Sequence, residues 1–455
     1  MPRLSGIDMT KGTGILIMIL VHAITNNLAE NDGKVFYSLL DLIPNWVLYI
    51  LIYPFVILGL FGTIFTVMTA MTTSFSVMSM CEKEQYNRVL PYIVNKLLFC
   101  ILLKIMEIIF WTILNEQYDI FLKHEIVFPS FPISNDATTL DSIGWSCFLS
   151  PIIIYLLYLC KIKKPLVQII VLSVFVAISL GISPWVTEGF SFLVDFFHEH
   201  NISLFEVLCG KIAIGRFKLS QTFAFVILGC IFAIIYKSKW NIKGLLWYNC
   251  GLTILCVSTF VIWALIDGSW LEHIVDEDVP LPGQILCMGL ETQIISWHCY
   301  FCDGNRKDIK LLASRKRTTY LRRLSMISLT AFCLCPFVGR QIQLFFRIFF
   351  GAPCVHGDDA HFLWGVIPCA SFVIIDLIIW FCIAYGWEKI HFKYSVEWIL
   401  GLALATFAGQ KNWRMNATDV IYGPIEEIQK KVDDDTKVSL LEEEKIVVTE
   451  QPVSQ

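Results

Sequence analysis

Long, nearly charge-free stretches recur from one end of this chain to the other, and no other feature limits its fold so strongly. Each can cross ~30 Å of hydrocarbon as a helix of roughly twenty residues. Of the 455 residues, 56% are hydrophobic and only 16% are charged, where a soluble domain carries about a quarter. The fold class expected is therefore all-α, a polytopic membrane helix bundle of 10–11 transmembrane helices. Ten full spans and one short one are read: 13–29, 46–72, 91–114, 143–160, 165–185, 219–236, 244–266, 283–302, 324–350, 363–386 and 396–408. The segment 204–218, LFEVLCGKIAIGRFK, is too polar for a clean span and reads as re-entrant or interfacial. The first segment shows no small-residue cleavage site and is taken as a retained helix.

Orientation follows from Lys and Arg in alternate loops. With the N-terminus cytoplasmic, the inner segments 1–12, 81–90, 161–164, 237–243, 303–323 and 387–395 hold 20 of them. The opposing segments 30–45, 115–142, 186–203, 267–282 and 351–362 hold 2. One bundle accounts for residues 1–412, and the charged, aromatic-poor tail 413–455 reads as disordered. The sixteen cysteines sit mostly in apolar stretches and act as small hydrophobes, not as a disulfide framework. The chain is expected to be integral to a membrane, plasma or internal, with no nucleic-acid partner.

Polar residues inside the spans carry the functional signal, since each is costly there and usually faces the bundle interior or water. At 100° per residue, His22 lies about 20° around the first helix from Lys11 and about 40° from Asp8, with Asn26 about 40° further on. These four form one stripe, with the histidine about 16 Å beyond the lysine. His22 reads either as a packing histidine bonded to a carbonyl or as a general base, neutral imidazole being tolerated where fixed charge is not. Gln284, Glu291 and His298 recur every seven residues on another face. Glu291 could share a proton with a histidine, or the three could simply bond between helices. Arg340 and Arg347, also seven apart, could bind an anionic group or snorkel to the outer interface. Lys104 and Glu107 read as a self-neutralising pair, and Asp376 needs a partner the sequence does not name. CVHGDDAHF, residues 354–362, gathers Cys354, His356, Asp358, Asp359 and His361, which could ligate a metal or line an acceptor site. Such clusters are mostly solvated loop, and no metal is expected. The C-x-x-C of HCYFC has no second pair, which argues against zinc there. The basic loop GNRKDIKLLASRKRTTYLRR could meet cofactor phosphates, though the positive-inside rule explains it unaided. There is no Walker loop, G-x-S-x-G or Rossmann fingerprint.

The opening stretch RLSGIDMTKGTGILIMILVH resembles the first-helix signature of the transmembrane acyltransferase superfamily, which includes heparan-alpha-glucosaminide N-acetyltransferase-like and YeiB-like membrane proteins. Arg3, Asp8, Gly12, Met18 and His22 fit that pattern, and Lys11 stands where the family usually has arginine. The second span, YPFVILGLFGTIFTVMTAMTTSFSVM, is similar to the family's small-residue-rich second helix. LRRLSMISLTAF (321–332) looks like the YeiB-like R-x-S-x-x-S-L-T segment. FKYSVEWILG (392–401) looks like the closing x-G/S-P-x-E-W helix, with Val396 in place of proline. The heparan enzymes place their histidine in a loop that this chain lacks, while His22 matches the in-helix histidine of the broader relatives.

The resemblance implies an acyl-CoA donor, acetyl-CoA above all, bound from the cytoplasm, and a small-molecule or glycan acceptor on the other side. In that reading His22, with Asp8 and Glu291, carries the chemistry. Lys11 and Arg3 take the donor's charged end, and Asn26, Arg340 and His298 line the acceptor. A homodimer is left open. A proton-coupled transporter using His22, Glu291 and Asp376 is the alternative, although no paired broken helices mark an inverted repeat. A non-catalytic scaffold is the third.

Overall fold

The computed structural model describes residues 5–30, 32–41, 43, 44, 46, 62–123 (side chains to 110), 135–238, 240–267, 281–303, 318–407, 415, 417, 421 and 422. Arg3, residues 47–61 of the expected second span, the loop parts 268–280 and 304–317, and nearly all of the tail lie outside the described residues.

The architecture is an all-α bundle. Its elements in chain order are α1 (Ser5–His22, extended by a π-helical turn, Ala23–Leu28), α2 (Gly33–Asp41), α3 (Thr63–Glu82) and α4 (Tyr86–Lys123). There follow α5 (Thr139–Leu159), α6 (Pro165–Glu199), α7 (Ser203–Ala213), α8 (Leu219–Lys237), α9 (Asn241–Ile266) and α10 (Leu281–Asp303). The chain continues as α11 (Thr319–Met326), α12 (Ser328–Phe350), α13 (Val366–Lys389) and α14 (Val396–Phe407). Two antiparallel two-residue strands, β1 (Cys354–Val355) and β2 (His361–Phe362), make a small ribbon between α12 and α13. Among the described residues, eight helices are long and apolar enough to cross a membrane: α1 with its π turn, α3, α5, α6, α8, α9, α12 and α13. The protein is an integral multi-pass membrane protein.

Burial is arranged as lipid requires. Helix α8 is buried on almost every side and packs against α3, α5 and α6. Helices α9 and α13 are the reverse, with Trp247, Ile254, Leu265, Ile367 and Ile378 turned outward. An outward apolar surface of this kind is at home only in hydrocarbon. Between helices, where lipid gives no hydrophobic drive, small residues and hydroxyls do the holding. A Cβ added at Gly229 of α8 would lie 2.5 Å from the Val67 carbonyl oxygen of α3. Thr66 and Thr73 of α3 meet Ser142 and Ser150 of α5 at 2.9 and 2.6 Å, and Asn249 of α9 donates to Gln293 of α10 at 3.0 Å.

Three expectations shift. The described part of the second span is α3, which runs ten residues past the expected end at 72. Helix α6 continues to Glu199, beyond 185, so at 1.5 Å per residue it is about 50 Å long and stands clear of the hydrocarbon. The polar segment 204–218 contains a true helix, α7, packed on α6. Its C-terminal connection joins the start of α5, with Ala137 N–H donating to the Ile214 carbonyl. Lys211, Arg216 and Lys218 thus belong to the outer side. Lys211 is neutralised by Asp141 at 3.0 Å, which also takes Lys104 at 3.1 Å. Lys104 and Glu107 pair at 2.8 Å as read from their spacing.

The segments 321–332 and 392–401 meet in space. The helix expected over 324–350 breaks at Ile327, leaving the N-terminal amides of α12 without intrahelical partners. Glu397 of α14 supplies what they need, accepting from the amides of Leu329 and Thr330 and from Thr330 Oγ1 at 2.6 Å. Val396 N–H donates to the same hydroxyl at 2.8 Å. Near the cytoplasmic end α1 lies so close to α11 that a Cβ at Gly12 would sit 1.9 Å from the Leu321 carbonyl oxygen.

Two outcomes follow for thermal unfolding in detergent. Gly12→Val, driven into backbone, destabilises by at least about 1–3 kcal/mol, while Gly33→Ala, which meets open space, stays close to wild type. Glu397→Ala costs about 2–3 kcal/mol, since it strands several donors. Val396→Pro costs only about 1 kcal/mol, because one hydrogen bond is lost and proline suits a first helical position.

Candidate functional site

Helix α1 begins under a carboxylate from another helix: Asp303, at the end of α10, accepts from the amides of Ser5 and Gly6, both at 2.8 Å. The two helices run antiparallel from there, with Thr10 Oγ1 3.0 Å from His298 Nδ1. Asp8 is buried at 4% exposure and Lys11 is half-buried, so the cytoplasmic half of the expected stripe faces inward. Lys11 lies within electrostatic reach of Cys147 of α5.

The outer half of the stripe is rearranged. Directly after His22 the helix widens into its π turn, a form that concentrates at functional sites. Its i→i+5 winding brings Asn27, not Asn26, over His22, and Asn27 Nδ2 donates to the His22 carbonyl at 3.3 Å. Asn27 is buried, whereas Asn26 is half-buried and accepts from the Thr25 hydroxyl at 2.9 Å. His22 itself is half-buried, with Nδ1 sealed from solvent and without a hydrogen-bond partner among the described residues. Arg216, in the α7–α8 connection, is the charge that acts on it.

Other residues of the expected site are placed elsewhere. Glu291 is 1% exposed and accepts from Thr63 Oγ1 at 2.5 Å and from the Ile64 amide, capping α3. Extending the Thr10–His298 pairing along antiparallel helices sets it level with Ile17, about 7 Å short of His22 in helical rise. His298 does not join Asn26 and Arg340. It pairs with Thr10, sixteen residues and therefore about 24 Å along α1 from Asn26. Asp376 is fully buried, and neither of its carboxylate oxygens has a hydrogen-bond partner among the described residues.

Arg340 and Arg347 find an anion from the protein itself. The residue after the π turn, Glu30, takes the left-handed conformation (φ 52°) that ends a helix and turns its carboxylate toward α12. Oε1 accepts from Arg347 and, at 2.8 Å, from Gln343 Nε2, and it lies 3.7 Å from Arg340 Nη1. Gln343 also reaches the Asn27 carbonyl at 2.5 Å, and Gly339 lies against the Asn27 amide. The other oxygen, Oε2, faces His356 Nε2 at 2.8 Å, while His356 Nδ1 meets Asp32 Oδ2 at 3.1 Å. Burial works to raise the Glu30 carboxyl, but the hydrogen bonds from His356 and Gln343 and the two guanidiniums outweigh it and hold it below the usual range. Hydrogen bonds to Glu30 and then Asp32 hold the His356 imidazole above its ordinary value. The CVHGDDAHF cluster is thereby divided. Cys354 and His356 turn toward Glu30, while His361 is exposed and bonds the Asp359 carbonyl at 2.6 Å.

On the opposite, cytoplasmic face a cavity of about 310 Å³ is lined by Glu388, Lys389, His391, Ala417, Ile421 and Tyr422. Arg323 closes on Glu388 at 2.6 Å and on the Tyr422 hydroxyl at 3.0 Å. Sequence reasoning missed Glu30, Asn27, Gln343 and Arg216. The adjacent pair Asn26–Asn27 at the end of a span was the available signal for one of them. Comparison with family models, curated proteins and solved structures finds no match to this chain.

The Glu30 cluster makes a stability prediction. Glu30→Ala removes the anion that Arg340 and Arg347 share and costs about 1–3 kcal/mol, the pair being only partly buried. Adding Arg347→Met to Glu30→Ala recovers part of that loss in a double-mutant cycle of thermal unfolding. Strict additivity of the two substitutions would remove the coupling claimed here.

Proposed function

We propose that this membrane protein is an acyltransferase that moves an acyl group, acetyl in the simplest case, from cytoplasmic acyl-CoA to a small-molecule or glycan acceptor at the outer side. The carrying observation is His22: a half-buried imidazole deep in a span, opening a π turn, with Nδ1 free of any described hydrogen-bond partner. A histidine kept only for packing would be expected to spend that nitrogen on a carbonyl. The order of the motifs along α1, α11–α12 and α14 supports the same reading, as does the meeting of the last two through Glu397.

The donor's phosphates suit the cytoplasmic cavity, where Lys389 offers positive charge and Arg323 neutralises Glu388. Bound acyl-CoA supplies an acyl group activated as a thioester. The acceptor's hydroxyl or amine attacks the thioester carbonyl while the His22 imidazole takes its proton. The C–S bond then breaks, and the CoA thiolate leaves as the thiol with the proton that His22 returns. Asp8 and Lys11 hold the cytoplasmic mouth of the approach to that ring, and Asn26 and Arg340 orient the acceptor at the outer level. Glu291 and His298 position helices α3 and α1 and do not act on the acceptor.

Proton-coupled transport is the second reading, and Asp376 is what favours it, a buried carboxyl with neither oxygen partnered among the described residues. With radiolabelled acetyl-CoA and purified protein, His22→Ala lowers label transfer about 10²–10⁴-fold, while Asp376→Asn transfers at close to the wild-type rate. Equal transfer by His22→Ala and wild type would end the proposed mechanism. Solute flux in proteoliposomes that is lost in Asp376→Asn, without acyl turnover, would establish the transporter.

A further inference from the structure

Where α1 leaves the membrane, three side chains from two distant parts of the chain converge. Glu30 Oε2, His356 Nε2 and Cys354 Sγ all lie within 4.8 Å of one another. The imidazole nitrogen is 2.8 Å from the carboxylate oxygen and 3.4 Å from the sulfur. A tetrahedral zinc ion with bonds of ~2.0–2.3 Å sets such donors about 3.3–3.5 Å apart, so small side-chain shifts would admit one. We propose that Glu30, Cys354 and His356 bind a divalent transition-metal cation of the zinc type, which ties the outer end of the first span to the β1–β2 ribbon.

The chemistry of the three donors separates this from an ordinary ion-pair cluster. A carboxylate, an imidazole and a thiol together form a set that borderline-soft cations favour, whereas surface charge pairing has no use for a thiol. The other imidazole nitrogen is held by Asp32 Oδ2 at 3.1 Å, the carboxylate–histidine arrangement that orients metal-bound histidines. With Nδ1 held by Asp32, Nε2 is the imidazole nitrogen directed at both the Glu30 carboxylate and the Cys354 sulfur. Arg347 and Gln343 hold the opposite oxygen of Glu30 and leave Oε2 directed at the site. The ribbon pairing, Cys354 with Phe362 and Val355 with His361, fixes the strand from which Cys354 projects. Three protein ligands leave one position of a tetrahedral ion for water or an acceptor's oxygen.

Full-length protein in detergent, stripped with a chelator and desalted, is titrated with Co²⁺ alone and followed by absorption. The expected result is one Co²⁺ per chain with a near-ultraviolet thiolate-to-cobalt charge-transfer band, and Zn²⁺ displaces it. Cys354→Ser loses the band, His356→Ala loses the stoichiometric binding, and Asp32→Asn weakens affinity about 10–100-fold. Wild-type protein that takes up no Co²⁺ would overturn the proposal. So would a band equally strong in Cys354→Ser, which would place the ion on one of the other fifteen cysteines. The wild-type titration decides the matter even where a variant folds poorly, and it reads binding alone, independently of any transfer by His22.

Discussion

A helix that begins inside a membrane bundle leaves its first four amide N–H groups without intrahelical partners, and hydrocarbon offers none in their place. Three helix starts in this protein meet that demand with a carboxylate from a different helix. Asp303 of α10 caps α1, Glu291 of the same helix caps α3, and Glu397 of α14 caps α12. Each acid gains from the positive end of the helix it meets, and each fixes the axial position of that helix relative to its own. Three acidic residues, Asp303, Glu291 and Glu397, thus set the register of helices in the bundle.

This changes how Glu291 is understood. From sequence, a lone carboxylate near mid-membrane beside a candidate base reads as chemistry, because such groups are costly and usually functional. The structure gives one of its oxygens a mechanical task, capping α3, while Oε1 is buried without a partner among the described residues. Asp376 has no comparable account, since both its oxygens lack described partners. Two intramembrane acids equally prominent in the sequence therefore part company once their partners are known.

The periodic part of the fold was legible in the sequence, because apolar run length maps directly onto a span. The ends of α5, α8, α9, α10 and α13 fall within a few residues of the positions read from hydropathy. What the sequence hid was either non-local or a departure from regular winding. No spacing rule joins Glu30 to His356, 326 residues apart, or Glu397 to Leu329 across a loop and a helix. The stripe through Asp8, Lys11, His22 and Asn26 assumed 3.6 residues per turn throughout. That holds to His22 and fails in the π turn, where Asn27 takes the inward position instead.

Helix α1 is held at both ends, with the buried Ile15, Met18 and Ile19 between them. At the cytoplasmic end, Asp303 caps it and Gly12 is pressed against the Leu321 carbonyl, which leaves no room for axial movement. At the outer end, Glu30 is gripped by Arg347, Gln343 and His356. A span fixed at two points must absorb any mismatch in length somewhere along itself, and a π turn is a low-cost way to insert a residue without breaking the helix. It falls immediately after His22, so the imidazole lies at the one place in α1 where the ladder is already widened. The π turn thus takes up the change of winding between His22 and the outer anchor at Glu30.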